Sequence, residues 1–585
     1  MGLPSAIKAH AVHDLKNAQI QYERALSQKT YSQVLFQNYG ALLREIGDLD
    51  RSKQIYEQGL HLYPASNSIR KNYINLLVDS SPEKALPLLF ETFYSILAEN
   101  IDEFDESHGV AIVECLRKLG HFAWAYHVLF WLISVFGLTS RLAVQCVNFL
   151  CDNSYYSRLL LDHELDIENV LIRSIADARP LQKAELYYAL CWFKLKQSTD
   201  VAQSLHYLSK ARDIFHTKGL SDDERRQCVK LNDINSWNAS VLLLQNEQFS
   251  LGWKLYDYGL RSPAKGPQAW QRALPKPFTN AELSLWKGTS LRDKSILLLE
   301  EQAIGDAMQF ATLVPALSCE SKHLGLLVSK RLYPIYQRSF KQYIDQGTIS
   351  VYTLEDVNRG TLCSANFDFQ SPLGSICQYR FTHPKLYASH SPIITSDYES
   401  TQLLKDKYLV SHQKKPKRIV GLSWRGGGTS ERMNQKSIPI PELAKALSSF
   451  EDVLFVSLQY GDCAADVAKF RQHGVHVLLD SDIDAVNEFD RWLSQVAVCD
   501  SVISVANTTI HASGGLNIPT LCLLSKYIDW RWLKNHRIDQ SYWYPSVGIA
   551  RQGEDGSWKH SISRLSSWIM SGTPRDWSTP YTVAD

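Results

Sequence analysis

The chain has 585 residues, which at roughly 100 to 200 residues per domain allows about three to five cores and excludes a single small module. Hydrophobic residues make up 45% and charged residues 21%, the balance of an ordinary folded chain, so a disordered or fibrous protein is excluded. The 62 Lys plus Arg against 61 Asp plus Glu leave +1, so no global field draws the molecule to nucleic acid or to an anionic membrane.

Eleven cysteines lie scattered without a CxxC pair, and an odd set cannot all pair internally. That points to a reducing compartment, with the cytoplasm as the expected location. The start of the chain lacks the apolar core of a secretory signal, and Ala6 stands where a myristoylation signal would carry Ser or Thr. The most apolar run, His121 to Leu138, is interrupted by His127 and Ser134 and is shorter than the ~20 residues that span a bilayer. It is expected to be a buried helix.

From the N-terminus, Ala18, Tyr22 and Ala25 recur as Ser52, Tyr56 and Gly59, each 34 positions later, the period of a tetratricopeptide (TPR) helix-turn-helix unit. The second copy is fuller: Tyr39, Gly40 and Leu43 lie on its first helix, Gly47 near the turn, and Pro64 after the second helix. Small residues at Gly40 and Ser52 would let the paired helices approach, with Tyr39, Leu43 and Tyr56 filling the space between. Ala85 and Leu89 mark a weaker third copy, and Gly120, Ala125 and Leu129 a fourth. From Leu181 to Leu244 the apolar spacing stays helical without a consensus, so 1–245 reads as a TPR-like α-helical solenoid. Such a solenoid either stacks only on itself or presents a groove to a protein or peptide.

After a connecting segment, 246–290, the pattern changes to short β-rich runs alternating with amphipathic stretches, which predicts parallel βαβ units. In 291–400, Ser295 to Glu300 is the first strand and leads through Ala303, Ile304 and Gly305 into a helix begun by Asp306. Leu324 to Val328 is the next strand, followed by a helix around Tyr333 to Phe340 and then a loop-rich stretch with Asp368 and Ser371 to Gly374. The polar, proline-punctuated segment Ser389 to Lys417 is read as a linker. In 415–550, strands are predicted at Arg418 to Trp424, Val453 to Gln459, Val475 to Leu479, Val502 to Val505 and Thr520 to Leu524. Helices fall at Pro441 to Phe450, Asp462 to His473, Ala485 to Val498 and Thr509 to Leu516, and 551–585 is left as a C-terminal tail. Two Rossmann-like domains facing each other make a GT-B fold, with its ligand at the carboxyl ends of the strands.

Two of those strand ends carry candidate chemistry. After Trp424 comes Arg425-Gly426-Gly427-Gly428, then a polar loop to Lys436 and Ser437; the glycines would let backbone amides approach an anion, with Arg425 and Lys436 supplying charge. After Val505, Ala506-Asn507-Thr508-Thr509-Ile510-His511 places two hydroxyls and free amides at a helix start, either a phosphate cradle or plain capping. Asp482-Ile483-Asp484 has the form of a metal-binding DxD but precedes a helix and reads as a helix start. Trp530 and Trp532 fit either stacking on a ligand or packing between domains.

These residues belong to a wider set: Gly252-Trp253 with Tyr256, Glu301 to Asp306 with Gln309-Phe310, Gly421 to Trp424, and Lys436 to Pro439. It continues with Phe455 to Gln459, Asn507-Thr508-Thr509 with His511 and Gly514, Asp529 to Leu533, and Trp543 to Ser546. In order over about Gln248 to Gln552, the set resembles bacterial tetratricopeptide-repeat glycosyltransferases, a group similar to heptosyltransferases and more distantly to O-linked N-acetylglucosamine transferases. The resemblance implies transfer of a sugar from a nucleotide-diphosphate sugar to an acceptor hydroxyl, inverting and without a metal or other cofactor. It further implies that Lys436 neutralises the donor diphosphate, that Thr508, Thr509 and His511 lie in the phosphate-holding loop, and that Asp306 acts as base. Gln459, Gly426, Gly427 and Gly514 join the donor-binding set, and His511 joins Asp306 as a catalytic candidate. Expected partners are the nucleotide sugar, an acceptor that is a protein, glycan or lipid-linked glycan, and a protein on the repeat groove. Ala303 stands where the family usually has glycine and Ala506 where many members have aspartate, which leaves a non-catalytic TPR scaffold with a relic transferase region as the alternative.

Overall fold

The computed structural model describes residues 2–574 and 577, apart from 13, 100–103, 153–154, 198–200, 218–219, 221, 262–271, 273–276, 384–385, 387–392, 412–415, 428–429, 536–538 and 554. The described chain forms two compact units, Met1–Cys228 and Val229–Asp585, and the helix Asp222–Gln245 spans their boundary.

The first unit is all helical and TPR-like. Helices Gln33–Ile46 and Leu49–Leu62 form an antiparallel pair: Ser32 caps the first by accepting the Leu35 N–H, Gly47 ends it in the left-handed region (φ 86°), and Asp48 caps the second by accepting the Arg51 N–H. The two pack closely because Gly40 has no side chain; a Cβ there would lie 2.3 Å from the Tyr56 ring. The Ser52 hydroxyl uses the same proximity to donate to the Gly40 carbonyl at 2.7 Å. Tyr22 stacks on Tyr39, its neighbour in the next pair, with ring centroids 5.5 Å apart. Ala18, Tyr22, Ala25, Tyr39, Gly40, Leu43, Ser52, Tyr56 and Gly59 are buried, as are Ala85, Leu89, Ala125 and Leu129, while Gly47 and Pro64, at the turns, are exposed. The run expected to be a buried helix is helix Phe122–Phe136, and it is buried on one face only. Ala125, Leu129 and Leu132 face inward, while Trp124 is 69% and Trp131 40% exposed. A repeat helix packs on neighbours along a stripe, so a largely apolar sequence still leaves aromatic surface outside.

The second unit holds two all-parallel sheets. The first has order β3-β2-β1-β4, with β1 Ser295–Leu299, β2 His323–Leu327, β3 Ile349–Tyr352 and β4 Phe369–Pro372. The second has order β10-β9-β8-β5-β6-β7, with β5 Arg418–Ser423, β6 Val453–Ser457, β7 Val477–Leu478, β8 Ser501–Val505, β9 Thr520–Leu524 and β10 Val547–Arg551. The central strands are buried on both faces, which accounts for their unbroken apolar runs. One apolar core runs through both lobes, joining Ile296 and Phe310 of the first to Ile510 and Val547 of the second. This is a TPR-like helical region followed by a GT-B arrangement of α/β lobes.

Four expectations need correction. The loop-rich stretch before Gly374 contains β3 and β4, and β4 pairs directly with β1 even though it ends on Pro372; proline is tolerated because β4 is an edge strand. The linker Ser389 to Lys417 contains helix Tyr398–Ser411, with the Tyr408 hydroxyl donating to Asp480 at 2.9 Å and accepting from Gln495 at 2.9 Å. Its buried stripe, Leu404 and Tyr408, is too narrow to stand out among charged neighbours. The tail 551–585 contains helix Lys559–Met570, which buries Leu565, Trp568 and Ile569 against the second sheet's core. The connecting segment 246–290 is part of the second unit, where helix Phe249–Tyr256 brings Trp253 and Tyr256 into the shared core.

Candidate active site

The direction of winding reverses in the second sheet between β5 and β8, and in such a sheet the loops beyond those two strand ends flank a crevice. Asn507, just after β8, spans it: Nδ2 donates to Ser423 Oγ at 2.7 Å and to the Arg425 carbonyl at 3.0 Å, while Oδ1 accepts the Thr509 N–H at 2.9 Å and caps helix Thr508–Gly515. Gln459, just after β6, fixes the other side of the loop; its Oε1 accepts from the Trp424 N–H at 3.1 Å and the Arg425 N–H at 2.9 Å. Gly426 is held by close approach, since a Cβ there would lie 2.6 Å from Lys436 Cβ, and a Cβ on Gly427 would lie 2.5 Å from the Tyr460 hydroxyl. Gly428 lies outside the described residues.

Helix Ile304–Ala311 of the first lobe packs against helix Thr508–Gly515, with Gly305 next to the His511 ring. The helix begins at Ile304 with Ala303 in the capping position, so Asp306 is its third residue rather than its start. One Asp306 oxygen accepts the Ala303 N–H at 3.3 Å, and the other forms a close ion pair with Arg531 Nη2. Arg531 Nη1 also reaches Asp529 Oδ2 at 3.2 Å, and Lys436 Nζ meets that same oxygen at 3.4 Å. Trp530 places Arg531 here: its ring stacks on Phe310 with centroids 5.8 Å apart and meets Trp253 edge-on at 5.6 Å. Trp530 therefore packs between the lobes, and Trp532 is buried in the shared core.

The electrostatics follow from burial. Burial pushes the Asp306 carboxyl upward, and the Arg531 guanidinium against it opposes the shift. Burial acts the same way on Asp529, but Arg531 and then Lys436 hold that carboxyl well below the usual range. Burial, and then the Arg531 charge, push His511 down to about 3, so its imidazole is neutral at physiological pH; Nδ1 lies 3.1 Å from the Tyr544 hydroxyl.

The structure thus brings Asp306, Lys436 and His511 together around Asp529 and Arg531. It places other candidates differently. The Arg425 guanidinium turns to the Asp462 carbonyl at 2.7 Å and to Asp466 at 3.3 Å. Thr508 is half-buried at the helix start, whereas Thr509 is fully buried with its hydroxyl unpartnered. Gly514 lies against the Tyr544 ring, where a Cβ would approach to 2.5 Å. Asp482 pairs with Lys407 at 2.8 Å, and Asp484 accepts the Val486 and Asn487 N–H groups at 2.8 and 3.0 Å. No group of three or more metal-ligating side chains occurs among the described residues. The sequence places Arg531 and Asp529 in a motif of the resemblance but assigns neither a role; the available signal was two opposite charges interleaved with two tryptophans.

The equivalent reversal in the first sheet, between β1 and β4, is filled from within. Arg272, fully buried, donates to both oxygens of Glu301 at 2.8 and 2.9 Å, to Asp257 at 2.7 Å and to Ser375 Oγ at 2.8 Å. Glu301 also accepts the Gly374 N–H at 2.6 Å.

No protein-family profile matches the chain. Among curated proteins, the chain is 26% identical over 302 residues to Protein FlbA of Caulobacter vibrioides, a match covering 48% of this chain and 47% of that protein, so the chain spans about half the length of that relative. Among solved structures, a glycosyl transferase family 9 protein from Veillonella parvula is 12% identical, covers 47% of this chain and 92% of its own, and has a TM-score of 0.33. The ADP-heptose lps heptosyltransferase II of E. coli is 10% identical over 48% of this chain and 98% of its own, with a TM-score of 0.33. A tetratricopeptide repeat protein from Parabacteroides merdae is 17% identical over 40% of this chain and 97% of its own, with a TM-score of 0.25. No helix among the described residues is long and apolar enough to cross a membrane.

Proposed function

We propose that the chain is a glycosyltransferase of hexosyl or heptosyl type that moves a sugar from a nucleotide-diphosphate sugar to an acceptor hydroxyl, with inversion and without a metal, in the cytoplasm. The observation that carries this reading is the meeting of Lys436, the Asn507-capped helix start and the Asp306 carboxylate at one junction between lobes. Lys436 and the helix amides would receive the diphosphate, whose leaving oxygen gains charge as the glycosidic bond breaks. Asp306, a single carboxylate from the opposing lobe, would take the acceptor proton in one displacement, and one displacement inverts the anomeric centre. His511, neutral, is suited to orient a hydroxyl rather than to hold charge. The helical repeats would recruit the acceptor, a protein, glycan or lipid-linked glycan, or a protein partner.

The alternative is a scaffold whose transferase lobes no longer turn over. It is favoured by the Arg425 guanidinium being engaged by Asp462 and Asp466 and by the burial of the Thr509 hydroxyl, which leave fewer groups for a donor. A thermal-stabilisation screen across nucleotide sugars separates the two, because a ligand at 100 times its dissociation constant adds ~2.7 kcal/mol to the stability. Stabilisation by one donor supports the transferase; a wholly negative screen favours the scaffold.

A further inference from the structure

Four side chains alternate in sign across the junction of the lobes: Lys436, Asp529, Arg531 and Asp306. Lys436 and Arg531 contact one oxygen, Asp529 Oδ2, at 3.4 and 3.2 Å. The cation assigned to the donor diphosphate and the cation that neutralises the proposed base therefore share a counter-ion and are neighbours. The set is neutral as it stands, and its inner end is buried, with the Asp306 side chain 2% and the Arg531 side chain 12% exposed, while the Lys436 and Asp529 side chains are 22% and 28% exposed. A sugar-linked diphosphate brings a negative charge on each phosphate, and a further charge develops as the glycosidic bond breaks. In a buried site that charge must find a cation.

Building on the nucleotide-sugar reading, we infer that Arg531 is shared between base and leaving group: it pairs with Asp306 in the resting protein and passes to the diphosphate when Asp306 takes the proton. In that step a lone pair of the acceptor oxygen forms the bond to the anomeric carbon. The bond from that carbon to the diphosphate breaks, with its electron pair going to the phosphate oxygen. The acceptor proton moves to the Asp306 carboxylate. Asp306 becomes neutral and loses its hold on Arg531, and the charge lost there reappears on the phosphate oxygen. Only the end of the arginine has to turn. Trp530 anchors the backbone by its stack on Phe310, and the guanidinium lies 4.5 Å over the indole ring, a face that stabilises the cation as it turns.

The test needs no acceptor. Asp306→Asn imitates the protonated carboxyl, so it should bind free nucleoside diphosphate more tightly than the wild type, about tenfold, the worth of one hydrogen bond to a charged group. The measurement is isothermal titration of the full chain with UDP, GDP, ADP, CDP and dTDP. The gain should vanish in Asp306→Asn/Arg531→Gln and be largely kept in Asp306→Asn/Arg531→Lys, whereas an arginine with a merely structural role would lower affinity alike in both backgrounds. Asp306→Ser, also uncharged, replaces the Asn variant if that one does not fold. If the wild type binds a nucleoside diphosphate but removal of the Asp306 charge brings no gain, or the gain survives Arg531→Gln, the shared cation is overturned and the transferase reading stands. If no probe binds the wild type or any variant, both fall.

Discussion

The two parallel sheets of the second unit reverse their winding in the same way and use the resulting crevices oppositely. Between β1 and β4, Arg272 is inserted from the preceding segment and satisfied by Glu301, Asp257 and Ser375, so the crevice holds an internal ion network. Between β5 and β8, the lining consists of the Gly426-Gly427 turn, the Asn507 cap and the Lys436 ammonium, groups whose chemistry suits an anion from outside. Topology supplies the same opportunity twice, and side chains decide that one crevice anchors the fold while the other is the one proposed to meet a ligand.

The comparison breaks first at Arg272. Arg272→Met leaves Glu301 buried without its counter-ion, which should cost about 3 to 5 kcal/mol in denaturant unfolding; a loss under about 1 kcal/mol would mean that the first crevice is not an anchor. Lys436→Ala addresses the second crevice and should cost about 2 to 4 kcal/mol of transition-state stabilisation with the fold intact. Unchanged turnover in a folded variant would remove Lys436 from the site. Asp306→Asn should lower turnover ~10²-fold or more. Near-normal turnover would reduce Asp306 to a contact of the helix start and remove it as the base. Asn507→Ala removes a cap and the tie across β5 and β8, so thermal or denaturant unfolding should show a loss of about 0.5 to 2 kcal/mol. The smallest effect sharpens the contrast: with Lys436 and the helix start carrying the phosphate charge, a chelator should leave turnover unchanged. Abolition by chelator with rescue by magnesium or manganese would bring back Asp482 and Asp484 as ligands, against their present partners Lys407 and the Val486 and Asn487 amides.

Much of the fold was legible where the pattern is local. The 34-residue spacing that relates Tyr22 to Tyr56 and Ala25 to Gly59 marks positions that are all buried, because the repeat places each one at the same helix contact. The strands β1, β5, β6, β8 and β9 announced themselves as apolar runs because both faces are covered. β3, β4 and β10 did not: β3 is four residues with alternating burial and β4 closes on a proline. Helix Tyr398–Ser411 was hidden for a related reason, its few buried residues being set among charges.

The candidate site divides along the same line. Glycine-rich and Asn-Thr-Thr turns at strand ends follow from short-range chain geometry, so Lys436, Asn507 and Asp306 could be nominated from spacing and resemblance. Which charge neutralises which could not. Arg531 reaches Asp306 across 225 positions and Arg272 reaches Glu301 across 29, and neither pairing leaves a periodic trace in the chain. Hydrophobic periods and caps are set within a turn or a strand, where neighbours along the chain are neighbours in space, and to that extent the amino-acid order alone determined the helices, the principal strands and their alternation. The partners of buried charges are chosen only when distant segments meet, because burial makes an unpaired charge so costly that the packed lobes, rather than the local sequence, select its counter-ion.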